Sequence, residues 1–227
     1  MNIAAIKKVI TEKYSENIWS GKVIRPLSYY PTLIFLKLGI TANQTTLLNI
    51  VIGLMGCALL GLGAYKAALL GAILININYL LDRVDGNIAR ATGTSTKLGA
   101  MIDGFSDILL DMLIPVSIGI GLYLHPQFGI NGNIYLLLGF VFACLRLLRS
   151  RYAVHARSII GGSTHEVVKG RSGILRGGLA LVSLEPVILL AAAAGGVLGI
   201  FLIGYTILSF CELVGYSILA IRRVWRS

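Results

Sequence analysis

Six stretches of mostly apolar residues, at about 46–63, 66–86, 100–123, 133–150, 177–195 and 199–220, fill most of this 227-residue chain. Each approaches the roughly 20 residues an α-helix needs to cross the hydrocarbon core of a bilayer. None alternates with the period of two that a transmembrane β-strand shows. Lipid offers no hydrogen bonds to an open backbone, so helices are the spanning structure that remains. The connections at 61–66 and 195–199 are short and glycine-rich, which makes the helices they join antiparallel neighbours. Charged residues are 13% of the chain, about half of what a soluble globule carries. The expected fold is an all-α integral membrane protein: one domain, 1–227, with six transmembrane helices between about 46 and 220.

Lys and Arg number 20 against 10 acids. Such an excess can mark a nucleic-acid partner, but here the basic residues collect between and beside apolar spans, and no nucleic acid is expected. The segment 146–176 holds seven of them and the C-terminus holds Arg222, Arg223 and Arg226, whereas 124–132 has no charged residue. By the positive-inside bias, both termini, the 92–97 turn and the 146–176 loop face the cytoplasm. Within the N-terminal segment, 1–40, residues 23–40 mix apolar and basic side chains with two prolines. They read as an interfacial amphipathic helix starting near Pro31, with Tyr29, Tyr30 and Lys37 at headgroup level. The first twenty residues are polar and charged, so no cleavable signal peptide is expected. Cys57, Cys144 and Cys211 lie in apolar runs with no CxxC or nearby histidine, and read as small buried hydrophobes.

Against this background Asp82, Asp85, Asp103 and Asp107 stand out, four of the ten acids of the chain within one short stretch. An ionisable group at a membrane segment is costly and by default marks a functional site. Asp82 and Asp85 are i,i+3 neighbours and Asp103 and Asp107 are i,i+4 neighbours, so each pair shares a helix face. Two such faces turned toward each other form a cage of hard oxygen ligands suited to Mg²⁺ or Mn²⁺. The intervening 91–97 stretch is small, polar and helix-breaking, a turn that lets the two helices meet.

The full pattern, D-x2-D-G-x2-A-R-x8-G-x3-D-x3-D from Asp82 to Asp107, resembles the signature of the CDP-alcohol phosphotransferase family at all eight fixed positions. The resemblance implies a membrane enzyme of phospholipid biosynthesis that takes a CDP-linked alcohol such as CDP-diacylglycerol. It implies transfer of the phosphoalcohol group to the hydroxyl of a second alcohol, with release of CMP. By the same resemblance Asp82, Asp85 and Asp103 are metal ligands, and Asp107 is the general base and a further ligand. Gly86 and Gly99 leave room for helix backbones and a cytidine to approach. Ala89 keeps that approach narrow, and Arg90 grips phosphate oxygens with its planar fork. Residues 41–46, Thr-Ala-Asn-Gln-Thr-Thr, are similar to the family's Pro-Asn-x-x-Thr entry, with Ala42 in place of proline. Asn43 and Thr46 there either cap the first span or touch the nucleotide.

Family members with a phosphorylated acceptor place basic residues near 146–176, which makes Arg149, Arg157, Lys169 and Arg171 acceptor-site candidates. Asp111 continues the Asp103/Asp107 stripe and is expected to pair with a basic or polar neighbour on another span. Glu185 and Glu212 are expected in structural pairs or at a contact between the two copies of a homodimer. His155 and His165 read as surface histidines. A transporter would string its acids along the membrane depth rather than at one face. An intramembrane prenyltransferase would show two separated aspartate-rich motifs, and this chain shows one.

Overall fold

A computed structural model describes residues 25–160, 181 and 184–225, and all the regular structure in it is helical. The helices are α1 (Arg25–Lys37), α2 (Ala42–Gly61), α3 (Tyr65–Thr92), α4 (Lys97–Leu124), α5 (Gly132–Ile160), α6 (Glu185–Ala194) and α7 (Leu198–Val224). Five of them, α2, α3, α4, α5 and α7, are long and apolar enough to cross a membrane. The expected fifth span, 177–195, is present among the described residues as the ten-residue α6. With these helices the chain is an integral membrane protein.

The bundle has an apolar core that includes Leu60, Ile75, Ile118, Phe142, Leu189 and Leu202, and it also presents apolar side chains on its outer surface, as a lipid-facing helix bundle does. On α2, Thr45, Thr46 and Asn49 are buried while Leu47, Leu48, Val51 and Met55 are exposed. On α7, Ile200, Ile207, Phe210 and Val214 face outward at helical spacing. Cys144 and Cys211 belong to this outward surface; only Cys57 is buried, a correction that follows from which helix face each one occupies.

Packing runs as a closed ring: α3 against α2, α2 against α4, α4 against α5, α5 against α7, α7 against α6, and α6 back against α3. Small residues set the close crossings, as expected where helices have no hydrophobic drive to associate in lipid. A Cβ on Gly71 would lie 2.8 Å from the Gly56 carbonyl oxygen, and one on Gly139 would lie 2.7 Å from that of Pro115. At the α2–α3 turn Gly63 takes φ 71°, and a Cβ there would meet the Gly121 carbonyl at 2.2 Å. Buried polar groups pair across helices: Asn78 Nδ2 donates to Asn49 Oδ1 at 2.7 Å, and Asn76 Nδ2 donates to the Pro186 carbonyl at 2.8 Å.

Three boundaries differ from the sequence reading. Helix α1 is already formed at Arg25 and carries Pro31 inside it, because Ser28 and Thr32 are both buried against α3 and hold the earlier turn in place. Helix α2 starts at Ala42 and is capped by Thr41, whose hydroxyl accepts from the Gln44 N–H while the Gln44 side chain accepts from the Thr41 N–H. This reciprocal box satisfies the first-turn donors, so Asn43 and Thr46 are interior helix residues and not caps. Helix α5, expected as a span ending near 150, continues to Ile160 into the segment 146–176 that was expected as a basic loop. Acids on neighbouring helices neutralise Arg146 and Arg149, which lets the helix carry them into the bundle.

Candidate metal centre

The centre lies where the C-terminal part of α3 meets the N-terminal part of α4. Gly93 closes α3 in the left-handed conformation, its N–H donating to the Ala89 carbonyl. Thr96 then caps α4, accepting from the Gly99 N–H at 3.0 Å. The turn between is short, so the last turns of α3 and the first turns of α4 run side by side. One carboxylate oxygen each from Asp82, Asp103 and Asp107 fall within 4.8 Å of one another. Asp82 and Asp103 are half-buried and Asp107 is exposed.

Like charges this close repel unless protons or a cation compensate. Among the described residues the cationic contact to this trio is Arg83, whose Nε is 3.7 Å from Asp82 Oδ2. The Arg83 guanidinium also lies over the Tyr79 ring, 5.6 Å from its centroid. Asp103 Oδ1 is buried without a hydrogen-bond partner. An orphaned carboxylate oxygen beside two further carboxylates is a donor set that fits a hard divalent cation.

Asp85 is buried and is not among the carboxylates whose oxygens fall within 4.8 Å of one another. Its Oδ2 accepts a 2.8 Å hydrogen bond from Thr46 Oγ1 on α2. Thr46 therefore ties α2 to the motif through a carboxylate. Asn43 lies beside the start of α4, its Oδ1 3.2 Å from where a Gly99 Cβ would sit. Gly86 makes room in the same way for the Arg90 guanidinium, whose terminal nitrogens would be 3.4 Å from an added Cβ. Arg90 Nη2 donates to Asn87 Oδ1 at 2.9 Å. Ala89 is half-buried on the same part of α3. The eight motif positions and both α2 residues thus converge on one end of the bundle.

A model of the CDP-alcohol phosphatidyltransferase family matches residues 39–213, most of the chain and every element of this site. The chain belongs to that family. It is similar to the bifunctional IPC transferase and DIPP synthase of Aquifex aeolicus, 41% identical over 71 residues. It is also similar to the archaetidylinositol phosphate synthase of Pyrococcus horikoshii, 36% identical over 85 residues, and to the inner membrane protein YnjF of Escherichia coli, 37% identical over 92. These matches take in 31%, 37% and 40% of this chain and 16%, 44% and 43% of the respective relatives. Family membership and two relatives named as synthases support a phosphotransferase over a transporter.

The acceptor candidates separate. Arg149 sits on α5 with Nη1 donating to Glu212 Oε2 at 2.7 Å. Arg157 lies on the far part of α5, where only the backbone is described. Lys169 and Arg171 fall outside the described residues. Asp111 does find a basic partner on another span: Arg146 donates to Asp111 and, with its other terminal nitrogen, to Glu185. Glu185 and Glu212 are thus both in ion pairs within the chain. Sequence reasoning passed over Asn87, an amide buried in an apolar span, and its burial cost is the signal that could have marked it.

Proposed function

We propose that this protein transfers the phosphoalcohol group of a CDP-linked lipid, such as CDP-diacylglycerol, to the hydroxyl of a small alcohol and releases CMP. The observation that carries the reading is the trio Asp82, Asp103 and Asp107, with oxygens within 4.8 Å, inside a family motif whose fixed positions are all present. These three would hold Mg²⁺ or Mn²⁺, and the resemblance adds Asp85 to the set. When bound, the cation would offset charge on the pyrophosphate and orient it.

The chain's own residues supply the rest. Arg90 reaches the donor's phosphate oxygens, and Gly86, Ala89, Gly99, Asn43 and Thr46 shape the nucleotide's seat. Asp107, the exposed member of the trio, takes the acceptor's proton as its oxygen forms a bond to the lipid-linked phosphorus. The bond from that phosphorus to the CMP oxygen breaks, and CMP leaves with the electron pair. Arg157, Lys169 and Arg171 suit an acceptor that carries a phosphate, because basic side chains bind phosphate oxygens and a planar guanidinium does so with two hydrogen bonds; Arg149 is already held by Glu212. The name of the Pyrococcus relative favours an inositol phosphate over glycerol 3-phosphate. The charge distribution supports a cytoplasmic active site with both termini on that side, and we propose that the enzyme works as a homodimer.

The test is purified protein with labelled CDP-diacylglycerol, Mg²⁺ or Mn²⁺, and a panel of inositol phosphate, glycerol 3-phosphate, serine and choline, scored for CMP and lipid product. Asp107→Asn should abolish transfer while leaving CDP-diacylglycerol bound. CMP release that persists in both chelator and Asp107→Asn would refute the mechanism. Efficient use of serine or choline by the wild-type protein, with Arg157→Ala and Arg171→Ala as active as wild type, would remove the phosphorylated-acceptor reading.

A further inference from the structure

Asn87 occupies an unspecified position of the motif, between Gly86 and Arg90, and it is 4% exposed. A buried primary amide is costly unless its hydrogen-bonding groups are matched. Here both ends are used. Nδ2 donates to Ser28 Oγ at 3.1 Å and to Thr32 Oγ1 at 3.2 Å, both on α1. Oδ1 accepts from Arg90 Nη2 at 2.9 Å. A guanidinium has only donors, so the oxygen of the amide must be the end that faces Arg90, and the NH₂ must face α1. The Thr32 hydroxyl spends its own proton on the Ser28 carbonyl at 2.7 Å, which leaves its lone pairs for Asn87. Ser28 and Thr32 are fully buried.

We propose that Asn87 is a positioning residue that transmits the placement of helix α1 to the Arg90 guanidinium. Arg90 is a long, otherwise exposed side chain at the end of α3. Free, it would spread over many rotamers; against Asn87 and the bare backbone of Gly86 it is ordered before substrate arrives. The opposite face of α1 carries Leu27, Tyr30 and Ile34, all exposed, at the spacing of a helix lying on a membrane surface. The helix at the lipid boundary and the guanidinium at the site are therefore joined through one amide. This inference rests on the reading of Arg90 as the grip on the donor's phosphates.

The experiment measures KM for CDP-diacylglycerol and kcat for CMP release in Arg90→Ala, Asn87→Ala, Thr32→Val and the Asn87→Ala/Arg90→Ala pair. Asn87→Ala should raise the donor KM about 10-fold, the scale of one hydrogen bond to a charged group, with kcat and acceptor KM near wild type. The isosteric Thr32→Val should raise it by a smaller factor and serves if Asn87→Ala does not fold. The paired variant should be no worse than Arg90→Ala alone, because the two residues act as one unit. If Arg90→Ala leaves the donor KM unchanged, the reading of Arg90 is wrong and the positioning role goes with it. If Arg90→Ala raises it but Asn87→Ala and Thr32→Val do not, or if the paired variant is additive, the positioning role alone is overturned.

Discussion

Asp107 and Asp111 are one helical turn apart on α4, yet the structure surrounds them differently. Asp107 faces Asp103 one turn before it on α4 and Asp82 on α3, with oxygens within 4.8 Å, and Arg83 lies 3.7 Å from Asp82. Asp111 is paired to Arg146, which also holds Glu185 from α6, while Arg149 one turn along α5 holds Glu212 from α7. The second group is closed: its acids and bases come from the chain itself and lock α4, α5, α6 and α7 together. In the first group acids crowd against acids. A buried atom without a hydrogen-bond partner occurs in both groups, Asp103 Oδ1 in the first and Arg146 Nε and Glu212 Oε1 in the second. What separates them is the pairing of opposite charges. In an apolar setting, an acid given an arginine by its own fold is a structural element, and acids given mainly one another are a site for something from outside.

The largest effect should come from breaking the closed group. Arg146→Ala leaves Asp111 and the buried Glu185 unpaired, and removing one partner of a buried pair costs about 3–5 kcal/mol. The thermal midpoint of the detergent-purified protein should fall clearly. Little change there would erase the distinction between the two groups. Next in size, Asp103→Ala should lower CMP release ~10²-fold or more, the scale for losing one electrostatic stabiliser of a transition state. Its midpoint in chelator should stay near wild type or rise, since the change relieves repulsion. A large loss of stability in that variant would mean that the trio is structural as well. The smallest effect belongs to Thr46→Val, which removes the hydroxyl donating to Asp85. One hydrogen bond to a charged group corresponds to about 10-fold in rate, read again as CMP release.

The two groups also differ in how far the sequence revealed them. The trio is carried by local spacing: the i,i+4 pair Asp103 and Asp107 is brought to Asp82 by the short polar turn, while Asp85, the i,i+3 partner of Asp82, takes a hydrogen bond from Thr46 instead. The closed group joins residues 35, 39 and 63 positions apart, so no periodicity announces which arginine meets which acid. An arginine partner for Asp111 could be expected from the cost of an unpaired charge in a span, but its identity comes from the ring order of the helices. Basic residues from 146 onward looked like a loop for the same reason, because composition shows charge without showing its partner. The Thr41 cap was missed in favour of Asn43 and Thr46, although the Thr-x-x-Gln box was there to be read.

Cation binding to the trio is the central claim, and electron paramagnetic resonance of Mn²⁺ titrated into purified protein tests it without reference to any substrate. Wild type and Glu212→Gln should both take up Mn²⁺, because Glu212 belongs to the closed group, whereas Asp103→Asn should lose that uptake. If Asp103→Asn binds Mn²⁺ as tightly as wild type, the carboxylates on α3 and α4 are not a metal centre.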